Sequence, residues 1–160
     1  MASDKTSLSE QMLQRWQRLS AWPGGRWLFS LMLGRFAPYT GSIGAQVTEL
    51  RSGFAKVELR DRHKIRNHLN SIHAVALMNL GEMATGLALM SGLQRGVRGI
   101  ITGLSITYHK KARGRLICEC AITPPNISDD TEQQVHTEIK DTAGDVVARC
   151  TATWRLGLIP

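Results

Sequence analysis

One long apolar helix dominates the middle of this sequence and limits how the rest can fold. In RNHLNSIHAVALMNLGEMATGLAL, residues 66–89, apolar side chains recur at the spacing of one helix face, and Asn70 or Ser71 is expected to cap the start. The apolar face consists of Ala74, Leu77, Leu80, Ala84, Leu87 and Ala88. A helix this apolar is stable only when other elements cover it, so the flanking segments must supply that cover.

The segments on either side of this helix have the period of β-strands. Residues 43–48 and 54–59 alternate apolar and polar side chains around an Arg-Ser-Gly turn, which predicts a hairpin. Four further strand-like runs lie at residues 99–108, 116–122, 134–139 and 146–156. Turn-forming residues separate these runs, which predicts a meander. This order of elements predicts an α+β fold in which an antiparallel sheet packs on the long helix.

Two helices are predicted ahead of the first strand. Residues 8–19 carry apolar side chains at the spacing of an amphipathic helix. Residues 27–36 are apolar on nearly all sides, which favours a helix that covers the core rather than a membrane anchor. Pro38 is expected to end this segment. We therefore expect residues 1–41 to be a helical extension, packed on one domain formed by residues 42–160.

The composition indicates a cytoplasmic protein. The apolar run at residues 26–33 is far shorter than the ~20 residues of a membrane span, and the first residues lack the order of a signal peptide. An odd number of cysteines without a C-x-x-C pair is a poor disulfide framework, which favours a reducing compartment. Cys118 and Cys120 alternate at strand spacing, so they are predicted to be small apolar residues of one face rather than metal or redox ligands.

Two polar residues stand out in the helix, His73 at its head and Glu82 in its middle. The nine residues between them span about two and a half turns, so the side chains point to opposite sides and are not expected to meet within one chain. A twofold dimer with antiparallel helices would bring them together, and Gly81 and Gly86 would admit the close partner helix. Helix N–H groups suited to an oxyanion would then face a carboxylate base or nucleophile, as acyl transfer requires.

The same polar residues have a simpler explanation. Asn79 and Glu82 lie three residues apart, so they would form the solvated stripe of an amphipathic helix. His73 would then be a surface or capping residue without a chemical role. The helix alone leaves both interpretations open.

The spacing of these residues resembles that of a known family. Asn67 precedes His73 by six residues, small residues follow, and Glu82 comes nine residues after His73. This pattern is similar to the hotdog fold, in which an antiparallel sheet surrounds a long helix, and specifically to acyl-CoA thioesterases of the phenylacetate-pathway type. The likeness covers roughly residues 42–155. The N-terminal helices resemble those of an uncharacterised hotdog subgroup with Pro-Tyr before the first strand and Arg-Asn-His before the helix.

The resemblance implies a thioester hydrolase that acts on acyl-CoA or a related thioester. Its sites would be shared between the subunits of a homodimer or tetramer, with no cofactor besides the coenzyme A of the substrate. By the same resemblance, Asn67 and the backbone N–H of Ala74 would bind the thioester carbonyl, and His73 would shape the helix head. Glu82 of the other subunit would act as base or nucleophile.

The chain departs from the family pattern at several positions. Ala74-Val75 replaces the usual Gly-Gly, which narrows the approach to the oxyanion position, and Glu82 replaces an aspartate. The family's hydroxyl position aligns with Ile101, and Thr102 follows one residue later, on the other face of a regular strand. These departures leave an alternative from another class, a non-catalytic acyl-CoA or lipid-binding hotdog module.

A basic segment follows the third predicted strand. SITYHKKARGRL, residues 105–116, resembles the family's strand that enters a Pro-Ala-containing bend, with Lys111 in place of the proline. Lys110, Lys111 and Arg113 would bind the phosphates of coenzyme A, or would form a solvated strand end. The net charge of +7 favours anionic partners in general. Nucleic acid is the weaker prediction, because the basic residues lack interleaved aromatics and no recognition motif is evident.

Overall fold

The computed structural model describes residues 7–159, which form four α-helices and six strands. The helices are α1 (Leu8–Ser20), α2 (Gly25–Phe36), α3 (Pro38–Ser42) and α4 (Ala74–Gly92). The strands are β1 (Gln46–Arg51), β2 (Phe54–Leu59), β3 (Val97–Tyr108), β4 (Leu116–Ala121), β5 (Thr131–Asp141) and β6 (Val146–Leu158). The predicted α+β class is confirmed, because α4 packs against a sheet that contains all six strands.

The strands follow the order β1-β2-β4-β5-β6-β3 across the sheet, with antiparallel neighbours throughout. The predicted β1–β2 hairpin is confirmed, and β4 to β6 form a meander as expected. The prediction that β3 belongs to this meander is wrong, because β3 pairs with β6 and β4 pairs with β2. The chain leaves β3 and crosses the ends of β6 and β5 through residues 109–115 before it enters β4. This crossing loop passes the start of α4.

Helix α4 is the core helix of the fold. Its apolar stripe lies against the sheet, and Leu80, Ala84 and Ala88 have no exposed surface. By length and composition α4 would also suit a membrane span, but most of it is buried inside the fold, as is typical of the core helix of a globular domain. The expectation that the flanking strands cover this helix is therefore confirmed.

The two glycines of α4 lie against β6 of the same chain. A Cβ atom added at Gly81 would come within 2.6 Å of the Cys150 Sγ and 2.7 Å of its Cβ. A Cβ added at Gly86 would meet the Trp154 ring at 3.4 Å, an ordinary contact. The prediction that these glycines admit a partner helix is therefore wrong, because β6 is the element that approaches them.

The two glycines should respond differently to alanine. We expect Gly81→Ala to lower the free energy of unfolding, because overpacking a core costs about 1–3 kcal/mol and exceeds the gain of roughly 1 kcal/mol in helix propensity. Gly86→Ala should be neutral or stabilising by up to about 1 kcal/mol, since its Cβ meets no clash. Urea denaturation of both variants checks this, and a Gly81→Ala protein as stable as Gly86→Ala would contradict the close approach to Cys150.

Helices α1 and α2 form a pair that packs on α4 and β1. The rings of Trp16 and Phe29 meet edge to face, with centroids 5.1 Å apart. α2 covers the core on one side only, since Phe29 is buried while Trp27 and Phe36 are exposed. Helix α2 ends at Phe36, just before Pro38, as expected, and Pro38 then begins the short helix α3, where a missing N–H costs no hydrogen bond.

All three cysteines are buried free thiols. Cys118 and Cys120 point inward from β4, so the prediction that they are small apolar residues of one face is confirmed. Burial raises the pKa of both thiols to about 12, which keeps them protonated and unreactive at neutral pH. Within residues 7–159, no group of three His, Cys, Asp or Glu side chains could hold a metal ion.

Candidate active site

The head of α4 is capped by His73. Its backbone is extended, and its Nδ1 accepts a hydrogen bond from the Val75 N–H at 3.1 Å, so the neutral ring carries its proton on Nε2. The predicted cap at Asn70 or Ser71 is wrong, because both residues belong to the loop before the helix and Asn70 has a left-handed backbone with φ of 53°. His73 therefore shapes the helix head by capping it.

The backbone N–H of Ala74 is an unused donor at this head. First-turn N–H groups of a helix have no intrahelical acceptor. The Val75 N–H is taken by the His73 ring, and those of Ala76 and Leu77 by the His73 carbonyl. In the described part of the chain the Ala74 N–H has no acceptor, and it lies at the positive end of the helix dipole, where an anionic oxygen is stabilised.

Asn67 organises the loop that leads into α4. Its Oδ1 accepts hydrogen bonds from the N–H groups of Leu69 at 2.9 Å and Ser71 at 3.2 Å, which fixes the side chain in an Asx turn. Both bonds use the oxygen. The NH₂ group of Asn67 bonds to none of the residues described and can donate to a ligand.

The crossing loop is fastened to the same helix head. The Ala112 carbonyl accepts hydrogen bonds from the Ile72 N–H at 2.8 Å and from the Ser71 Oγ at 3.0 Å. The Tyr108 hydroxyl, at the end of β3, donates to the Ala74 carbonyl at 3.0 Å. These bonds hold the basic residues that flank Ala112 beside the first turn of α4.

The three basic residues predicted to bind phosphate differ in their surroundings. Lys110 forms ion pairs with Asp141 and, at 2.7 Å, with Asp145 in the β5–β6 turn. Two carboxylates therefore already compensate its charge. Lys111 is exposed, and the Arg113 guanidinium reaches the Leu69 carbonyl at 3.5 Å, a long contact. Lys111 and Arg113 are thus the better placed pair for an anion at the helix head.

Glu82 lies in the middle of α4, half-buried and without a hydrogen bond or ion pair to its carboxylate among residues 7–159. Burial raises the pKa of the Glu82 carboxyl above its ordinary value of 4.5. Its charge also contributes to the raised pKa of Cys150, about 11, whose first cause is burial. A desolvated carboxyl without a partner is costly for stability and is typical of a catalytic base.

Asn79, one turn before Glu82, is buried with only 6% of its surface exposed. Its Nδ2 donates to the Tyr39 carbonyl at 3.1 Å and ties α3 to α4, whereas its buried Oδ1 has no partner among the described residues. The alternative in which Asn79 and Glu82 form a solvated stripe is therefore wrong. The Asn79 Oδ1 is therefore a buried acceptor whose hydrogen-bonding capacity is unmet among the described residues.

A cleft of about 410 Å³ opens at these two residues. α3, α4 and β3 supply its lining, which comprises Tyr39, Val75, Met78, Asn79, Glu82, Ile101, Thr102, Gly103 and Leu104. Thr102 belongs to a β-bulge between Ile101 and Gly103 and is exposed, whereas Ile101 and Leu104 pair with the buried Trp154 and Ala152. The Thr102 hydroxyl donates weakly to the Thr153 carbonyl at 3.3 Å.

The predicted site residues thus fall into two groups within one chain. Asn67, His73 and Ala74 lie at the helix head with the basic loop, whereas Glu82 and Thr102 lie in the cleft beside β3. No contact joins His73 to Glu82 within residues 7–159, as expected from their spacing.

Sequence reasoning assigned no role in the site to Asn79, Tyr108 or Ala112. The sequence could have indicated Asn79 as a neighbour of Glu82, because the two residues lie one turn apart on the same helix. No sequence pattern indicated Tyr108 or Ala112, because their contacts with α4 depend on the path of the crossing loop.

Comparison with known proteins places the chain in a family. Residues 25–156 match the domain of unknown function DUF4442. The chain belongs to this family. No curated protein matches its sequence. The DUF4442 match covers α2 through most of β6, and therefore both groups of site residues.

Solved structures share the fold of this DUF4442 protein. A structural-genomics protein, APC5556, is 29% identical with a TM-score of 0.80, over 95% of this chain and 99% of its own. PA5026 of Pseudomonas aeruginosa, a protein of unknown function described as a probable thioesterase, is 18% identical with a TM-score of 0.72. The match covers 78% of this chain and 90% of PA5026. The smu.793 protein of Streptococcus mutans, bound to acetyl-CoA, is 19% identical with a TM-score of 0.62. The match covers 72% of this chain and 91% of smu.793. The fold is the hotdog fold, as predicted.

Proposed function

We propose that this DUF4442 protein hydrolyses acyl thioesters of coenzyme A or a related carrier, at a site completed by a second subunit. The main support for this proposal is Glu82, a half-buried carboxylate that lines the cleft. Its pKa is raised, and it has no partner in the described chain. The neighbour bound to acetyl-CoA supports a coenzyme A thioester as ligand, and the neighbour described as a probable thioesterase supports hydrolysis.

In the proposed reaction, Glu82 acts as general base. It takes a proton from a water molecule as the water oxygen bonds to the thioester carbon. The carbonyl oxygen becomes an oxyanion that the Ala74 N–H and the Asn67 NH₂ stabilise. Collapse of this intermediate breaks the carbon–sulfur bond, and Glu82 returns its proton to the sulfur. The products are a carboxylic acid and the free thiol of coenzyme A.

We propose a dimer formed through β3, because the two edges of the sheet differ. At the β1 edge, the Ser30 hydroxyl of α2 accepts a hydrogen bond from the Val47 N–H at 2.9 Å, and a bulge follows between Val47 and Glu49. The β3 edge, VRGIITGLSITY, carries one charge, Arg98, and no proline. A long edge strand with a single charge is a template for pairing with another strand, whereas an edge whose N–H group is already bonded to a helix side chain is a poorer one.

Pairing of two β3 strands about a twofold axis would complete the site. The Glu82 cleft is lined by residues 101–104 of β3, so it opens at the edge that the partner would cover. The partner's helix head, with its Asn67 and Ala74 donors, would then approach the Glu82 carboxylate. A tetramer would add contacts between two such dimers.

Hydrolysis assays over short, long and aromatic acyl-CoA substrates test the proposed activity. Steady release of free thiol from at least one substrate is expected, at a rate that depends on Glu82. Absence of turnover over the panel would reject the hydrolase. Tight acyl-CoA binding by calorimetry without turnover would instead favour the non-catalytic binding module, in which Ala74-Val75 blocks the chemistry.

Lys111 and Arg113, the crossing-loop residues that form no ion pair within residues 7–159, should govern coenzyme A binding. We expect Lys111→Ala and Arg113→Ala each to raise KM for acyl-CoA by about 5–10-fold, a loss of roughly 1–1.4 kcal/mol per charge-assisted contact. Neither should affect hydrolysis of a short thioester without the nucleotide. Lys110→Ala is the matched control, and a KM effect of Lys110 larger than that of its neighbours would contradict the assignment.

We place the protein in the cytoplasm. Its three cysteines are buried and unpaired, which suits a reducing compartment, and coenzyme A thioesters are the substrates proposed.

A further inference from the structure

A second space opens on the other side of Glu82. α1, α2 and α4 enclose an apolar pocket of about 330 Å³. Its floor consists of Phe29, Met83, Leu87 and Trp154, each no more than 6% exposed. Leu8, Met32 and Phe36 surround its mouth. The N-terminal helices therefore form more than a cover over the core, because they supply one wall of a cavity.

Glu82 lines both the cleft and this pocket. Glu82 is therefore the boundary residue between the two spaces, and a ligand whose reacting carbon lies at its carboxylate is adjacent to the pocket. The pocket follows α4 from Glu82 past Gly86 to Met90, a path of about 12 Å at 1.5 Å per residue. Gly86 leaves room in this path, since it has no side chain between the pocket and the Trp154 ring.

From this shared boundary at Glu82 we infer that the pocket binds the acyl group of the substrate, and that this group is of medium chain length. The inference rests on the proposed thioester hydrolysis and specifies its substrate class. The volume is about twice the ~150 Å³ of a cavity that holds benzene, which gives room for an acyl group of roughly ten carbons. Flexible methionines at residues 12, 32, 83 and 90 line the pocket and suit an unbranched chain.

Chain-length dependence is the first test. We expect kcat/KM to rise at least 100-fold from acetyl-CoA to decanoyl-CoA, because each additional buried methylene strengthens binding, and to level off or fall at palmitoyl-CoA. Equal kcat/KM values for acetyl-CoA and decanoyl-CoA would overturn the inference while leaving hydrolysis itself established.

Substitutions at the pocket are the second test. Gly86→Leu places a side chain in the path and should lower kcat/KM for decanoyl-CoA at least tenfold while that for acetyl-CoA stays within about twofold. Gly86→Ala is its control for folding, because its Cβ meets only an ordinary contact. If Gly86→Leu fails to fold, Met32→Trp at the mouth, where Met32 is 40% exposed, serves the same purpose.

Leu31 provides a matched control for Met32. It is 46% exposed on the same helix but lies outside the pocket, so Leu31→Trp should leave the chain-length profile unchanged. Met32→Trp should lower kcat/KM for decanoyl-CoA at least tenfold relative to acetyl-CoA. The same profile in both variants would overturn the assignment of the pocket.

Binding of thioether analogues separates this inference from the proposed reaction. S-decyl-coenzyme A should bind the wild-type protein at least tenfold tighter than S-ethyl-coenzyme A by calorimetry, and Met32→Trp should remove the difference. If this is observed without turnover of any acyl-CoA, hydrolysis is rejected and the acyl pocket stands. If both analogues bind equally or neither binds, the pocket inference fails, whatever the turnover.

Discussion

Replacing Glu82 by glutamine should lower kcat/KM for acyl-CoA hydrolysis by about 10²–10⁴-fold, the range typical of a lost general base. Glutamine keeps the size and shape of the side chain but cannot take a proton from water. In the wild type, the acid limb of the pH–rate profile should have an apparent pKa above 4.5, because burial raises the pKa of Glu82. Glu132→Gln, on an exposed position of β5, is the matched control and should retain full activity.

The same substitution should stabilise the protein at neutral pH. Between pH 4.5 and the raised pKa, the folded protein keeps a proton on Glu82 that the unfolded chain has released, so stability falls as the pH rises through this window. Glutamine removes that loss. Urea denaturation should therefore show a larger stability advantage of Glu82→Gln at pH 8 than at pH 4. An equal advantage at both pH values would mean that the Glu82 carboxylate is not desolvated in the folded state.

Local periodicity was sufficient to predict most of the elements. Alternation over residues 54–59 and 146–156 predicted β2 and β6, and the apolar stripe of residues 74–88 predicted α4, because each pattern reflects one buried face of one element. The start of α4 was misplaced by two to three residues, since Asn70 and Ser71 are common caps whereas a histidine cap depends on ring geometry. The pairing of the strands was predicted less well than the strands themselves, because β3 pairs with β6 rather than with β4.

Only those residues of the candidate site whose spacing resembles the family pattern could be predicted. Asn67, His73 and Glu82 follow from sequence positions, but the tether from Ala112 to Ser71 links residues 41 apart in the chain. The β-bulge between Ile101 and Gly103 could not be predicted, because nothing in the sequence of residues 101–103 indicates an extra residue in β3. The close approach expected at Gly81 exists, but its cause is Cys150 of β6 rather than a second helix, and at Gly86 the contact with the Trp154 ring is an ordinary one. A glycine in a helix indicates that a neighbour is near without identifying that neighbour.

Placing a charge on the β3 edge should dissociate the dimer and abolish hydrolysis. Ile100 is 56% exposed on β3, so a lysine there costs the single chain little but would bring two like charges together wherever the strands pair. Light scattering should show a dimer for the wild type and a monomer for Ile100→Lys, with activity reduced at least 100-fold because each site loses the partner's oxyanion donors. Ile159→Lys, at 58% exposure outside the strand, is the matched control.

Subunit mixing then distinguishes a shared site from two independent ones. Asn67→Ala and Glu82→Ala proteins should each be nearly inactive, yet a heterodimer of the two contains one site in which an intact Asn67 faces an intact Glu82. Random exchange at equal concentrations makes about half of the dimers heterodimers, so roughly a quarter of the wild-type activity should return. The mixture of Asn67→Ala with Asn67→Ala,Glu82→Ala chains controls for exchange itself and should stay inactive. Verified exchange without recovery would show that Asn67 and Glu82 do not meet across subunits, and a wild-type monomer would remove the shared site altogether.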